Sequence, residues 1–225
     1  MGTDTPQSGQ HFAIKSWRHI PESTDIIFQY TCDIYGDFHE KVTFPGTPEK
    51  LEAFASGSGA AVLDLLSVAL GVSTYKLAAA STISLTPLTR AGREMAKSLY
   101  TEGLAEFYVR NSLPYPPPLT FAGEILDALP DAATGQEGPP LVAFGGGKDS
   151  YVARAILNSA GHQAQLASVV LGEAVENVLT ATAPKTPLFI QRRLDPKLYE
   201  IAPKAFSGHV PITAINMLVL AVSAE

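Results

Sequence analysis

The spacing of apolar and polar side chains divides the chain into distinct elements. Residues 25–34 (DIIFQYTCDI) are dense in β-branched and aromatic side chains; a polar turn, Tyr35-Gly36-Asp37, follows, and residues 38–44 (FHEKVTF) partly alternate. This pattern predicts an antiparallel hairpin closed by Pro45-Gly46. Thr47-Pro48-Glu49 has the order of an N-cap, a first-turn proline and an early acid. It opens a mostly helical stretch interrupted at residues 56–59 and ending near Gly71. A second long helix is expected over residues 90–109, with Met95, Leu99, Leu104 and Tyr108 close to one face. PYPPP (114–118) stops regular structure, because proline fixes φ and removes a donor. A short helix is expected over residues 122–129. The Pro/Gly-rich stretch at residues 130–140 reads as a linker.

Beyond it the period changes. Residues 141–144 form a short apolar run fit for a buried strand, and residues 150–159 read as a helix that Gly161 ends. Residues 166–171 (LASVVL) give a second strand, 173–179 a helix and 188–191 (LFIQ) a third strand. Such alternation predicts a parallel α/β sheet. Two regions follow: an N-terminal α+β region over residues 1–135, and an α/β domain over residues 136–225.

Composition narrows the function classes. Hydrophobic residues make up 46% and charged residues 17%, enough for a sizeable core. The formal net charge of -6 and the lack of a Lys/Arg cluster speak against a nucleic-acid partner. One cysteine, Cys32, leaves no internal disulfide and suits a reducing compartment. The polar start MGTDTPQSGQ lacks a signal peptide's apolar stretch, and the apolar run at 217–222 is too short to span a bilayer. The expectation is a cytoplasmic protein with no membrane partner. His11, His19, His39 and His162 show no metal-ligand spacing.

The chemistry concentrates in GGGKDS, residues 145–150, between the first strand of the α/β part and a helix start. Backbone N–H groups and a helix N-terminus converge there, and glycines let phosphate oxygens approach closely. Lys148 adds a charge, Asp149 can orient a metal or cap the helix, and Ser150 offers a hydroxyl. The loop is not a Walker A motif, since Asp149 follows Gly147-Lys148. Nor is it a dinucleotide fingerprint, since Ser150 stands where the third glycine belongs. The bland alternative is an ordinary strand-to-helix turn.

Residues 145–150 resemble the PP-loop of the ATP-pyrophosphatases, Ser-Gly-Gly-any-Asp-Ser, with Gly145 in the serine position. GVSTYKLAAASTISL (71–85), EGLAEFYVRNSL (102–113), RRLDPKL (192–198) and GHVPITAIN (208–216) narrow the likeness. Together with GGGKDS they resemble the UDP-N-acetylmuramoyl-L-alanyl-L-glutamate epimerases, in which a leading glycine in the loop is normal. The resemblance implies an isomerase of peptidoglycan precursor synthesis, acting in cell wall biogenesis and cell shape. It would invert the terminal L-glutamate of UDP-MurNAc-L-Ala-L-Glu, with ATP and Mg²⁺ as cofactors and with AMP and pyrophosphate released.

On that resemblance, Gly145, Gly146, Gly147, Lys148, Asp149 and Ser150 bind the nucleotide, and Asp149 also meets the metal. Lys148, Asp149, His209 and Glu106 are the candidate catalytic residues, and Tyr75, Lys76, Arg110 and Asn111 the candidate substrate contacts. Arg192 and Arg193 are candidates to face phosphates. Each has a plainer reading. Glu102, Glu106 and Arg110 also fit a solvated acid–base stripe, His209 a turn, and Asp195 the N-cap before Pro196. Members of that family are longer than this chain, and a doubly wound domain has about five strands where about three are found here. The expectation is therefore a truncated PP-loop domain: either the chain is a fragment or split gene product, or a partner chain supplies the remaining half. Alternative functions are another PP-loop ATP-pyrophosphatase that transfers an amide or thio group, and a non-catalytic nucleotide-binding chain.

Overall fold

The computed structural model describes residues 6–57, 59–127 and 138–223. In chain order the strands and helices are β1 (His11–His19), β2 (Asp25–Cys32), β3 (Gly36–Thr43), α1 (Pro48–Ser56), α2 (Gly59–Tyr75), β4 (Thr82–Ser84), β5 (Leu88–Thr89), α3 (Arg90–Tyr100), α4 (Ala105–Arg110), β6 (Thr120–Ala122), β7 (Ile125–Leu126), β8 (Leu141–Ala143), α5 (Lys148–Ser159), β9 (Gln165–Val170), α6 (Glu173–Thr182), β10 (Leu188–Leu194), α7 (Pro196–Ile201) and α8 (Ile212–Ser223). The expected linker lies mostly outside the described residues.

One eight-stranded sheet runs in the order β6-β4-β1-β2-β3-β10-β9-β8. Its centre is an antiparallel meander, β1-β2-β3, and its two ends are parallel. The expected hairpin is β2 and β3, paired from Asp25↔Thr43 to Cys32↔Gly36. Alternation explains it: Ile26, Phe28, Tyr30 and Cys32 all point into the core. The parallel α/β sheet expected for the C-terminal part is present as β8, β9 and β10. It is joined to the meander, because β10 pairs antiparallel with β3 from Gln191↔Thr43 to Leu194↔Glu40. The architecture is thus a mixed α/β sheet that runs through both parts of the chain.

Helices cover both faces of the β8–β10 end. Val142 and Phe144 pack with Leu166, Val170 and Leu179 in a small core that α5 and α6 cover. On the other face Ala167 and Ile190 join the main core, together with Ile215 and Val219 of α8. The apolar segment at 212–222 forms α8. It packs on α2 and on β8 and β9.

Three further expectations change. The first long helix runs past Gly71 to Tyr75, because Gly71 serves close packing rather than termination: a Cβ there would lie 2.9 Å from both the Tyr100 hydroxyl and the Tyr30 ring. The helix expected over 90–109 breaks at Thr101 and resumes as α4 after a 3₁₀ turn over Glu102–Leu104. The described part of the helix expected at 122–129 is extended instead. β6 adds to β4, and β7 pairs with β5 in a separate two-stranded sheet.

Candidate functional site

Two loci carry the candidate residues. The first is the glycine loop, which leaves the C-terminal end of β8 and enters α5. Gly147 takes the N-cap position with extended backbone (φ -84°, ψ 158°) and contributes no side-chain cap. The first-turn N–H groups thus meet no capping side chain, an arrangement open to an anion. Ser150 returns its hydroxyl to the Gly147 carbonyl (2.7 Å) and so firms the turn. Lys148 and Asp149 are exposed.

The three glycines have different reasons. Gly146 adopts φ +76°, where an L side chain is strained, and a Cβ would press on Leu179 at 3.3 Å. A Cβ on Gly145 or Gly147, by contrast, would meet nothing within 4 Å. The protein's own packing leaves those two positions open, which suits close approach by a ligand from outside.

The second locus is the turn at residues 207–209, held between α4 and the C-terminal end of α2. His209 donates its backbone N–H to Glu106 (3.0 Å), and its ring Nδ1 lies 3.7 Å from the same carboxylate. The backbone hydrogen bond from His209, helped by the nearby Arg110 and by the His209 ring, holds the Glu106 carboxyl below the usual range. Lys76 reaches the Gly208 carbonyl (3.3 Å). Burial, with the Arg192 charge close by, lowers its ammonium pKa. Arg110 approaches Glu106 only loosely (3.6 Å), and more than half of its side chain is exposed. Residues 76, 106, 110, 111 and 209, scattered along the chain, therefore meet at one place. Among the described residues no hydrogen bond or ion pair joins this place to the glycine loop.

Several assignments shift. Tyr75 is a core residue: it is buried, its hydroxyl bonds the Tyr108 hydroxyl (2.9 Å) and the Ala80 carbonyl, and burial pushes its pKa far up. It has no face to offer a substrate. Asn111 donates its amide to the Phe107 and Ser207 carbonyls and accepts from the Ser207 N–H, so it holds the turn rather than waiting for a ligand. Arg192 is withdrawn as a phosphate contact. It is buried in an ion pair with Glu40 and also donates to Ser73 (2.8 Å). Arg193, next along the strand, points the other way and is exposed. With Val170, Leu171, Gly172, Glu173, Gln191 and Arg192 it lines a small cleft just past the C-terminal end of β9, alongside the second half of β10. Asp195 caps α7 through the Lys197 N–H (3.0 Å), as expected. Glu40 was not foreseen. Its signal was an acid at a core-facing position of a strand, between Phe38 and Val42.

A sequence model of the MurL N-terminal domain matches residues 3–225. The chain belongs to that family. Three curated relatives agree, each named UDP-N-acetyl-alpha-D-muramoyl-L-alanyl-L-glutamate epimerase. The protein from Micromonospora sp. is 35% identical over 199 residues, covering 83% of this chain and 42% of the relative. The one from Salinispora tropica is 34% identical, covering 92% and 47%. The one from Xanthomonas oryzae pv. oryzae is 32% identical, covering 87% and 44%. This MurL N-terminal domain chain thus spans less than half the length of the relatives it matches. No solved structure matches it. Among the described residues no single helix is long and apolar enough to cross a membrane.

Proposed function

We propose that the chain supplies the nucleotide-binding part of an ATP-dependent epimerase that converts the terminal L-glutamate of UDP-MurNAc-L-Ala-L-Glu to D-glutamate. The observation that carries this reading is the glycine loop: uncapped first-turn amides, two glycines with open space above them, and Lys148 beside them, all at the C-terminal end of a parallel strand. The names of the relatives support the substrate class.

The chemistry explains the need for ATP. An α-proton next to a carboxylate is hard to remove, because the carbanion would add charge to an existing anion. Attack of that carboxylate on the α-phosphorus gives an acyl adenylate and releases pyrophosphate. The acyl group now bears no charge and its carbonyl can delocalise the carbanion, so a base takes the proton from one face and an acid returns one to the other. Water then cleaves the adenylate to AMP and UDP-MurNAc-L-Ala-D-Glu.

In this reading residues 145–147 cradle the departing pyrophosphate and Lys148 offsets its charge. Mg²⁺, which neutralises phosphate charge, fits as a companion of the triphosphate, with Asp149 the loop's one carboxylate to meet it. Among the described residues no three His, Cys, Asp or Glu side chains form a free-standing metal site. Glu106, held ionised by the His209 amide, suits a proton acceptor rather than a donor. The His209 ring, 85% exposed and 3.7 Å from the same carboxylate, is a second candidate for that side of the substrate rather than for the opposite face. Arg110, only loosely held by Glu106 and more than half exposed, can take a substrate carboxylate.

A second reading, nucleotide binding without turnover by this chain alone, follows from its covering less than half of each relative. One experiment addresses both: AMP and pyrophosphate release with and without UDP-MurNAc-L-Ala-L-Glu, followed by chiral analysis of the glutamate. We expect Asp149→Ala to reduce AMP release by about 10²-fold or more with an unchanged unfolding midpoint. Unaltered release would remove the loop from the reaction. ATP binding without release would favour the second reading.

A further inference from the structure

The parallel end of the sheet has a direction built into it. β8, β9 and β10 follow each other in sequence and lie in the order β10-β9-β8. Their connecting helices, α5 and α6, share one face through Leu157 and Leu179. α8, which comes after β10, lies on the opposite face against β8 and β9. In a doubly wound sheet a switch of face after the third strand returns the chain to the far side of the first, giving the order 3-2-1-4. The position that follows is the free edge of β8. Among the described residues β8 is paired on one side only, with β9.

The adjoining helix shows the same gap. α5 buries none of its residues. Tyr151 marks the flank facing α6, through a bond to the Thr182 carbonyl (2.7 Å). At about 100° per residue, Ile156 lies across the helix from Tyr151, toward the free edge of β8. Val152, one turn earlier, borders it on the outer side of the helix, away from the sheet. They are 55% (Val152) and 63% (Ile156) exposed, an apolar pair in contact with water. Inside the same helix the buried Arg154 Nε has no partner among the described residues.

We propose that the β8 edge and the Val152–Ile156 flank of α5 dock the polypeptide equivalent to the part of the curated relatives that this chain does not match. It would add a parallel strand beside β8. This deepens the nucleotide reading above and rests on it in one respect: the added strand gives the glycine loop the second wall of a crevice at the point where strand order reverses. A second copy of this chain does not fit the edge. A two-fold axis would set β8 antiparallel to its copy and leave the face switch of α8 unused.

The test mixes the purified 225-residue chain with the unmatched C-terminal portion of the Salinispora tropica relative. A fusion of that portion after Glu225, through a Gly/Ser linker, covers the case in which it fails to fold alone. Sizing should give a 1:1 complex, and amide exchange over residues 141–143 and along α5 should slow on the order of tenfold in the complex or the fusion. Val152→Glu with Ile156→Glu should weaken association on the order of tenfold or more, whereas Tyr199→Glu, at an exposed site on α7, should leave it unchanged. The proposal is overturned by unchanged exchange at residues 141–143 in both mixture and fusion, by protection confined to another surface, by equal loss with Tyr199→Glu, or by a self-dimer of this chain through β8. The two readings fail separately. Protection of β8 without AMP release removes the catalytic reading and keeps the docking. Full turnover by the unaccompanied chain removes the docking and keeps the catalysis.

Discussion

Glu40 stands where the alternation of β3 calls for an apolar side chain, and it is tolerated because Arg192 arrives from β10, 152 residues later. Both are buried, and Ser73 of α2 takes up a further guanidinium N–H. Such a pair stabilises little over a well-packed apolar pair, because desolvation offsets most of the attraction. Losing one partner is different: Glu40→Ala strands a buried cation and should cost about 3–5 kcal/mol. The double variant Glu40→Met, Arg192→Met should recover most of that loss. Urea midpoints with matched slopes measure both, and a double variant as unstable as the single would show that the charges themselves are required. The same pair explains why Arg192 and Arg193, alike in sequence, divide into a structural and an exposed residue.

Gly71 shows how local rules mislead at the scale of an element. Read along the chain, a glycine after a helical run is a C-cap; in the fold it lies inside α2, where Tyr30 and Tyr100 close over it. Gly71→Ala gains about 1 kcal/mol in helix propensity but forces a methyl into contacts at 2.9 Å, typically costing about 1–3 kcal/mol. Net destabilisation is expected, read as a lower thermal midpoint; a rise would mean that the aromatic rings yield easily. What was legible followed sequence distance. The β2–β3 hairpin, α5 with its glycine loop, β9, β10 and the Asp195 cap are written in short windows of chain. β1 was missed because a bulge between Ile14 and Trp17 breaks its alternation. β6 and β7 are too short for a periodic signal, and each is placed by a partner strand. Of the site, the spacing of Glu106 and Arg110 was visible. Their meeting with Lys76 and His209 depends on the tertiary fold.

At the scale of the molecule, neither the main core nor the Glu106–His209 locus respects the division near residue 135. The main core draws on both sides of it, from Phe12, Phe28 and Leu66 to Ile190, Ile215 and Val219. Residues 136–225 alone would leave β10 without β3, Arg192 without Glu40 and α8 without α2, while keeping only the small core around Val142, Phe144, Leu166 and Leu179. At a typical net stability of about 0.05–0.15 kcal/mol per residue, a fragment deprived of these contacts has no margin. Expressed by itself, it should show no cooperative unfolding transition. In the whole chain the small core should be the weaker region, so amides of β8 and α5 should exchange through partial openings at lower free energy than those of α2. A fragment that melts cooperatively, or protection as high in α5 as in α2, would instead make the C-terminal part a folding unit of its own. The glycine loop would then be pre-formed before any contact with the meander, and the single sheet would be an association of two finished domains.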